Sequence, residues 1–229
     1  MKKRIEIFDI IKLIPNQAYK IMKKPIVILA NGEFPNHEIP LNQLKEAQSI
    51  ICCDGAINSL ENYNLDPIVI IGDFDSLKES NKKKYQTKLF HIPDQNENDL
   101  RKAMQWVDKQ NIDKATILGA SGKRDDHFLG NIFSLTEFKT KTLFTMITNY
   151  GIFTTIKNET TLQSFKGEQV SLFATDKTIK ISSNNLKYNL NNYTINKLYS
   201  CSVNESISKK FTIKISHGKI ITYQAFKEI

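Results

Sequence analysis

Unbroken apolar runs recur between Ile26 and Thr148: Ile26 to Ala30, Ser49 to Cys53, Ile68 to Ile71, Leu89 to Ile92, Ala115 to Leu118 and Leu143 to Thr148. Runs of this length, rich in Ile and Val, predict short strands buried on both faces, as in a parallel sheet. The segments between them carry helical spacing: Leu41 to Gln48, Asp54 to about Tyr63, Ser76 to about Tyr85, Asn96 or Asn98 to about Gln110, and the stretch after Gly122 to about Phe138. Leu100, Ala103, Met104 and Val107 form the apolar stripe of the fourth. Ser76 and Asn96 or Asn98 are N-cap candidates, and Glu97 and Asp99 suit the positive end of a helix dipole.

The period changes near Tyr150. Short alternating segments appear at Gln169 to Phe173, Thr178 to Ser182, Phe211 to Ile215 and Lys219 to Tyr223, separated by turns such as Ser183-Asn184-Asn185 and Ser216-His217-Gly218. They predict antiparallel β structure. The expected fold is α/β, a mostly parallel sheet flanked by helices, followed by a small antiparallel β-sandwich domain. Residues 23–150 form the first unit and 151–229 the second. Residues 1–22 match neither pattern; they are an N-terminal arm, or the start codon is mis-assigned and lies at Met22. A β unit of about eighty residues with few large core side chains is marginal alone and needs to pack on the first unit or on another subunit.

Composition narrows the setting. At 229 residues and 40% hydrophobic, the chain can bury a sizeable core, and no run reaches the ~20 apolar residues of a membrane span. The Met1-Lys2-Lys3-Arg4 start is basic, but Glu6, Asp9 and Lys12 break up the apolar stretch a signal peptide needs next, so none is read. With three cysteines at positions 52, 53 and 201, no disulfide framework emerges, and a cytoplasmic protein without a membrane partner is expected. The formal charge of +8 admits a nucleic-acid surface or the handling of anionic phosphates. The lysines are scattered and not interleaved with aromatics, so no nucleic-acid partner is expected.

Candidate chemistry sits where the strands end. After Ile68 to Ile71 come Gly72-Asp73-Phe74-Asp75-Ser76. In open α/β sheets this edge binds ligands. Two carboxylates at i and i+2 suit a hard divalent cation such as Mg²⁺ on a phosphate substrate, or form a solvated acidic turn. Asp54 ends another strand and either caps the next helix or points into the same crevice. Asp94 to Asp99 open a helix. Gly119 to His127 supply a glycine-containing loop whose N–H groups could approach an anion, with Arg124 as a planar fork for phosphate; an ordinary strand-to-helix turn capped by Asp125 is the alternative. Acidic groups from three loops with Arg and His from a fourth suit transfer of a phosphorus group from a nucleotide.

Four ordered motifs extend this reading: Cys53-Asp54-Gly55-Ala56; Gly72-Asp73-Phe74-Asp75-Ser76; Asp94-Gln95 with Asn98-Asp99 and Lys102-Ala103; and Gly122, Arg124, Asp126-His127, Leu129 and Asn131. Together they resemble the thiamine pyrophosphokinase family from about Pro25 to the C-terminus. The resemblance implies a homodimer, with thiamine bound between one subunit's α/β domain and the other's sandwich. It implies that ATP and thiamine give AMP and thiamine diphosphate by attack of the thiamine hydroxyl on the β-phosphorus. Asp73, Asp75 and Asp99 would hold Mg²⁺, with Asp54 in the same acidic site; Asp73, Asp75, Asp99 and Arg124 are the catalytic set. Gln95, Lys102, Arg124, Asp126 and His127 would surround the ATP phosphates. Ser202 and Asn204 would contact thiamine, although the family's Ser-Asn-Glu signature is displaced here to Val203-Asn204-Glu205. Ala56, Asn98 and Lys123 also depart from the family pattern; a small residue is usual where Lys123 stands.

Three other readings compete. A pyrophosphokinase for another hydroxymethyl heterocycle, such as a pterin, would keep the nucleotide site. A haloacid-dehalogenase-type phosphatase would make Asp73 a covalent nucleophile and leave the other motifs unexplained. A basic nucleic-acid-binding module would leave the acidic convergence without a purpose.

Overall fold

The structure is a computed structural model that describes residues 22–94 and 96–227. The expected N-terminal arm and Gln95 therefore lie outside the described residues, apart from Met22, which packs against the core.

Each long apolar run is a strand. β1 (Ile26–Leu29), β2 (Ser49–Cys53) and β3 (Val69–Gly72) are buried at every position. β4 (Leu89–His91), β5 (Lys114–Leu118) and β6 (Leu143–Ile147) continue the parallel set, in the spatial order β6-β5-β1-β2-β3-β4. Alternation of side chains divides the strands between two cores. Ile26, Ile28, Ile51, Cys53 and Ile71 face one side, where α4 (Asp99–Lys109) and α5 (Asp125–Glu137) contribute Met104, Val107, Ile132 and Leu135. Val27, Leu29, Ile50, Cys52 and Ile70 face the other, against Leu44 of α1 (Glu38–Glu46), Ile57 and Leu60 of α2 (Ile57–Leu60), and Tyr85 after α3 (Glu79–Lys84). Each side chain so enclosed contributes about 1.5–3 kcal/mol, which is why these strands carry no polar alternation.

Strand order reverses at β1: the chain steps outward through β2, β3 and β4, then returns to lay β5 on the other side of β1. In open α/β sheets the crevice at such a switch point is where ligands bind.

The C-terminal third is antiparallel, as expected, but it does not form a sheet pair of its own. β7 (Gly151–Ile156) pairs antiparallel with β6, and β13 (Ile220–Ala225), β9 (Gln169–Phe173) and β11 (Asn204–Glu205) extend the same sheet to ten strands. A second sheet of β10 (Ile181–Asn184), β12 (Lys210–Ile215) and β8 (Thr160–Gln163) covers that extension. Ile156, Val170, Leu172 and Ile220 meet Ile181, Phe211, Ile213 and Ile215 between the layers. The sandwich thus borrows one layer from the main sheet. β7, β8 and β11 were not read from the sequence.

Local expectations shift in three places. α1 starts at Glu38, with His37 as its cap: the ring Nδ1 accepts from Ile39 N at 3.2 Å. The helix expected from Asp54 to Tyr63 is three short pieces, ended by Asn64 in the left-handed region. Ser76 is not a helix cap, because α3 begins at Glu79 and the Ser76 amide bonds Asp54 instead. Among the described residues no helix is long and apolar enough to cross a membrane.

Candidate active site

A cleft of about 310 Å³ opens at the switch point, between the carboxyl ends of β1, β2 and β5. Asn31 and Gly32 line it from β1, Cys53 and Asp54 from β2, and Gly119, Ala120 and Gly122 to Arg124 from the β5–α5 loop. Asn98 and Asp99 close it from the start of α4, with His127 and Asn131 from α5. The β1 and β5 loops are joined by backbone: Gly32 N donates to Gly119 O at 2.6 Å and Glu33 N to Ser121 O at 2.7 Å. Only glycine fits at position 32, since a Cβ there would run into the Gly119 and Ser121 carbonyls.

Asp54 lies deepest. It is 2% exposed and sits at φ +34°. Its Oδ2 accepts the Ser76 amide at 3.2 Å, while its Oδ1 is buried with no hydrogen-bond partner. Burial pushes its pKa up to about 6, opposed by the Ser76 hydrogen bond and reinforced by the nearby Asp99 and Asp75 charges. Ligand oxygens of Asp54, Asp73 and Asp75 lie within 4.8 Å of one another. Phe74 between the last two is left-handed (φ +67°), and this kink brings the Asp75 amide to 3.4 Å from Asp73 Oδ1. Ser76 Oγ donates to Asp75 Oδ1 at 2.9 Å.

Asp99 is the first residue of α4, where the helix dipole favours a carboxylate. Burial nonetheless raises its pKa, with Asp73 and Asp75 adding to the shift and Lys102 working against it. Lys102, 4% exposed, reaches Asp99 Oδ1 at 3.0 Å from beneath. Asn98 caps the helix as expected, accepting Arg101 N at 2.9 Å. Its Nδ2 donates to Asn131 Oδ1 at 3.0 Å, and Asn131 Nδ2 donates to Ala120 O at 3.0 Å. This relay ties the start of α4 to the β5–α5 loop.

At the end of the β5–α5 loop, Arg124 rather than Asp125 is the residue preceding α5. Its guanidinium makes a two-point pair with Asp126, at 3.1 Å from Nε and 2.6 Å from Nη2. That bond holds the Asp126 carboxyl down at about 2. His127 is exposed on the cleft wall. Cys53 touches the site, donating to Asp99 O at 3.7 Å, but burial pushes its thiol pKa up, so it is no nucleophile.

The structure therefore brings together Asp54, Asp73, Asp75, Asp99, Lys102, Arg124, Asp126 and His127. It does not bring Ser202 and Asn204 to them within one chain. Asn204 is on β11, at the far edge of the sheet, six strand spacings of ~4.8 Å from β1, or roughly 29 Å. Its amide is engaged at both ends: Oδ1 accepts from Tyr188 N and Glu205 N at 3.1 and 2.8 Å, and Nδ2 donates to Tyr188 O at 2.8 Å. Ser202 Oγ donates to Tyr199 O at 2.7 Å.

Sequence reading gave no role to Asn31, Lys123 or Asn131. The signal available for the first was an Asn-Gly pair ending a fully buried strand. The backbone marks the same places independently. Among the described residues eight non-glycine positions have positive φ, and four of them are asparagines. The other four are Asp54, Phe74 and Lys123 at the cleft, and Val203 between Ser202 and Asn204. Such conformations cost about 1–3 kcal/mol each for residues of this kind and gather where function demands them.

The family model described as thiamin pyrophosphokinase, catalytic domain, matches residues 41–147, and that described as thiamin pyrophosphokinase, substrate-binding domain, matches residues 151–223. Thiamin pyrophosphokinase 1 of Caenorhabditis elegans is 31% identical over 106 residues, covering 42% of this chain and 43% of that protein. Thiamine pyrophosphokinase of Bacillus subtilis (strain 168) is 31% identical over 115 residues, covering 48% and 53%. These matches span about half the length of the curated relatives. The crystal structure of thiamine pyrophosphokinase from Bacillus subtilis superposes with a TM-score of 0.73 at 22% identity, over 89% of this chain and 99% of that one. Thiamin pyrophosphokinase from Candida albicans gives 0.73 at 20%, over 88% and 89%. With both parts of the sequence matched in order by that family's two models, and the fold shared, this chain belongs to the thiamin pyrophosphokinase family.

Proposed function

We propose that this protein is a Mg²⁺-dependent thiamin pyrophosphokinase that transfers the pyrophosphoryl group of ATP to the hydroxyl of thiamine, giving thiamine diphosphate and AMP. The observation that carries the reading is the convergence of Asp54, Asp73 and Asp75 at the switch-point cleft, with Asp99 alongside and Arg124 facing them. Four carboxylates in mutual repulsion, one with a buried oxygen that meets no donor, suit a hard divalent cation with oxygen ligands. Asp54, Asp73, Asp75 and Asp99 would hold Mg²⁺, which when bound would act as a Lewis acid and neutralise phosphate charge.

The chain's own residues supply the remainder. The β1 and β5 loops cradle the nucleotide. Arg124, held in plane by Asp126, offers a fork to the phosphates, and His127 lies beside it. Lys102 fixes the Asp99 carboxylate from below. One of the acidic side chains accepts the proton of the thiamine hydroxyl as its oxygen bonds the β-phosphorus. The bridging bond between the α- and β-phosphates breaks, and AMP leaves.

We assign the nucleotide chemistry to residues 23–150 and thiamine recognition to 151–229, including Ser202 and Asn204. Their offset of roughly 29 Å from the acidic cleft supports a site completed by a second copy in a homodimer. The three cysteines are free and buried, consistent with a reducing cytoplasm. Incubation with ATP, MgCl₂ and thiamine tests the reading. AMP and thiamine diphosphate are expected; ADP would replace pyrophosphoryl by phosphoryl transfer, and turnover of a pterin alcohol in place of thiamine would move the substrate.

A further inference from the structure

The cations around the cleft differ in how their charge is spent. Arg124 is committed to Asp126 by a two-point ion pair, and Lys102 to Asp99 at 3.0 Å. Lys123 lines the same cleft but rests on neutral acceptors: its Nζ donates to Asn31 O at 2.9 Å and to Asn31 Oδ1 at 3.3 Å. Among the described residues no carboxylate pairs with it. A carbonyl and an amide oxygen orient an ammonium without cancelling its charge. An ammonium has three donors, and Asn31 takes two, so one remains.

The position is also unfavourable for a lysine. Lys123 sits at φ +59°, where glycine would be free of strain. Asn31 packs closely against the chain that follows β2: a Cβ built on Gly55 would lie 2.6 Å from its side-chain nitrogen. The ammonium is therefore positioned where the β1 and β5 loops meet, in the cleft that Asp54 and Asp99 also line.

We infer that Lys123 is a further phosphate-binding residue of this cleft, its unneutralised ammonium, anchored on Asn31, taking up the charge of the nucleotide's phosphate chain. This rests on the ATP reading above. It adds a point charge to the cleft that the carboxylates line, one residue before the directional fork of Arg124. Asn31 acts as its positioning residue.

The test is calorimetric binding of ATP and of adenosine, with Mg²⁺ and without thiamine, to the full-length wild type, Lys123→Gln and Lys123→Gly at two ionic strengths. In both variants ATP should bind about tenfold more weakly, with a flatter salt dependence. Adenosine, which has no phosphate, should change less than about twofold. Lys123→Gly should melt no lower than wild type, since glycine relaxes the backbone, so folding does not confound the result. Unchanged ATP affinity in both variants would overturn the inference. So would equal losses for ATP and adenosine with a lowered melting point, which would make Lys123 a fastener for the Asn31 loop. A wild type that binds no ATP would bring down the nucleotide reading itself, a distinct failure.

Discussion

A Cβ placed on Gly72 would come within 2.8 Å of the Cβ of Asp54. The end of β3 therefore has to be glycine for the carboxylate that ends β2 to occupy the floor of the cleft. Gly72→Ala should displace Asp54, destabilise the fold by about 1–3 kcal/mol and lower turnover at least tenfold. Thermal melting and steady-state rates check this; wild-type kinetics in the alanine variant would show that Asp54 has no fixed role.

Asp73→Asn and Asp99→Asn should each abolish turnover while leaving the melting temperature within a few degrees of wild type. Neither side chain is in the core; Asp73 would lose a charge that its acidic neighbours repel, and at Asp99 the same relief offsets the loss of its ion pair with Lys102. Activity near wild type in either variant would count heavily against the metal assignment.

Asp54 should leave a signature in the pH dependence of the apo protein. Its folded pKa, about 6, lies above the ~3.9 of an unfolded aspartate, so the folded state binds more protons between these values. Stability contributed at low pH is therefore lost as pH rises from about 4 to 6, by roughly 2–3 kcal/mol at most. Asp99, also shifted up by burial, works in the same direction. Asp126, shifted down to about 2, works oppositely, but only in strong acid. Asp54→Asn should melt higher than wild type above pH 6 without Mg²⁺ and converge with it near pH 4. MgCl₂ should raise the wild-type melting point more at pH 7.5 than at pH 5. Parallel pH curves for the two proteins would remove Asp54 as the buried charge.

Arg124→Lys should cost at least tenfold in rate with little change in stability. The Arg124–Asp126 pair is exposed, and water screens such pairs so that they add little to stability. A lysine keeps the charge but cannot span both Asp126 oxygens and present a second edge to phosphate. An unchanged rate would take Arg124 out of the catalytic set.

Asn204→Ala should lower stability by about 1–3 kcal/mol, because the Tyr188 N–H and C=O lose their shared partner. With Tyr188 released, the KM for thiamine should rise while ATP binding holds. If ATP binding fell equally, β11 would be coupled to the nucleotide cleft and not to the substrate alone.

Much of this protein was legible from the chain. A strand buried on both faces needs an unbroken apolar run, so β1, β2 and β3 announce themselves, and the polar residues that interrupt those runs mark the strand ends. Asp54, Asp73, Asp75, Asp99 and Arg124 stand out as candidates in that way, and Asn98 as a cap comes from local hydrogen bonding alone. Strand order was not legible, because every buried strand has the same composition whichever neighbour it pairs with. Only the folded sheet decides that β5 returns beside β1 and makes a cleft there, that the expected packing of the β unit on the first takes the form of β7 continuing the main sheet, and that Asn204 stands at a sheet edge away from the acids. Ser76, a helix cap by local rules, is drawn instead to Asp54 from a different strand, and Lys123 reaches Asn31 across 92 residues. Periodicity and capping are written in neighbouring residues; partners distant in sequence are chosen by packing, which only the tertiary structure contains.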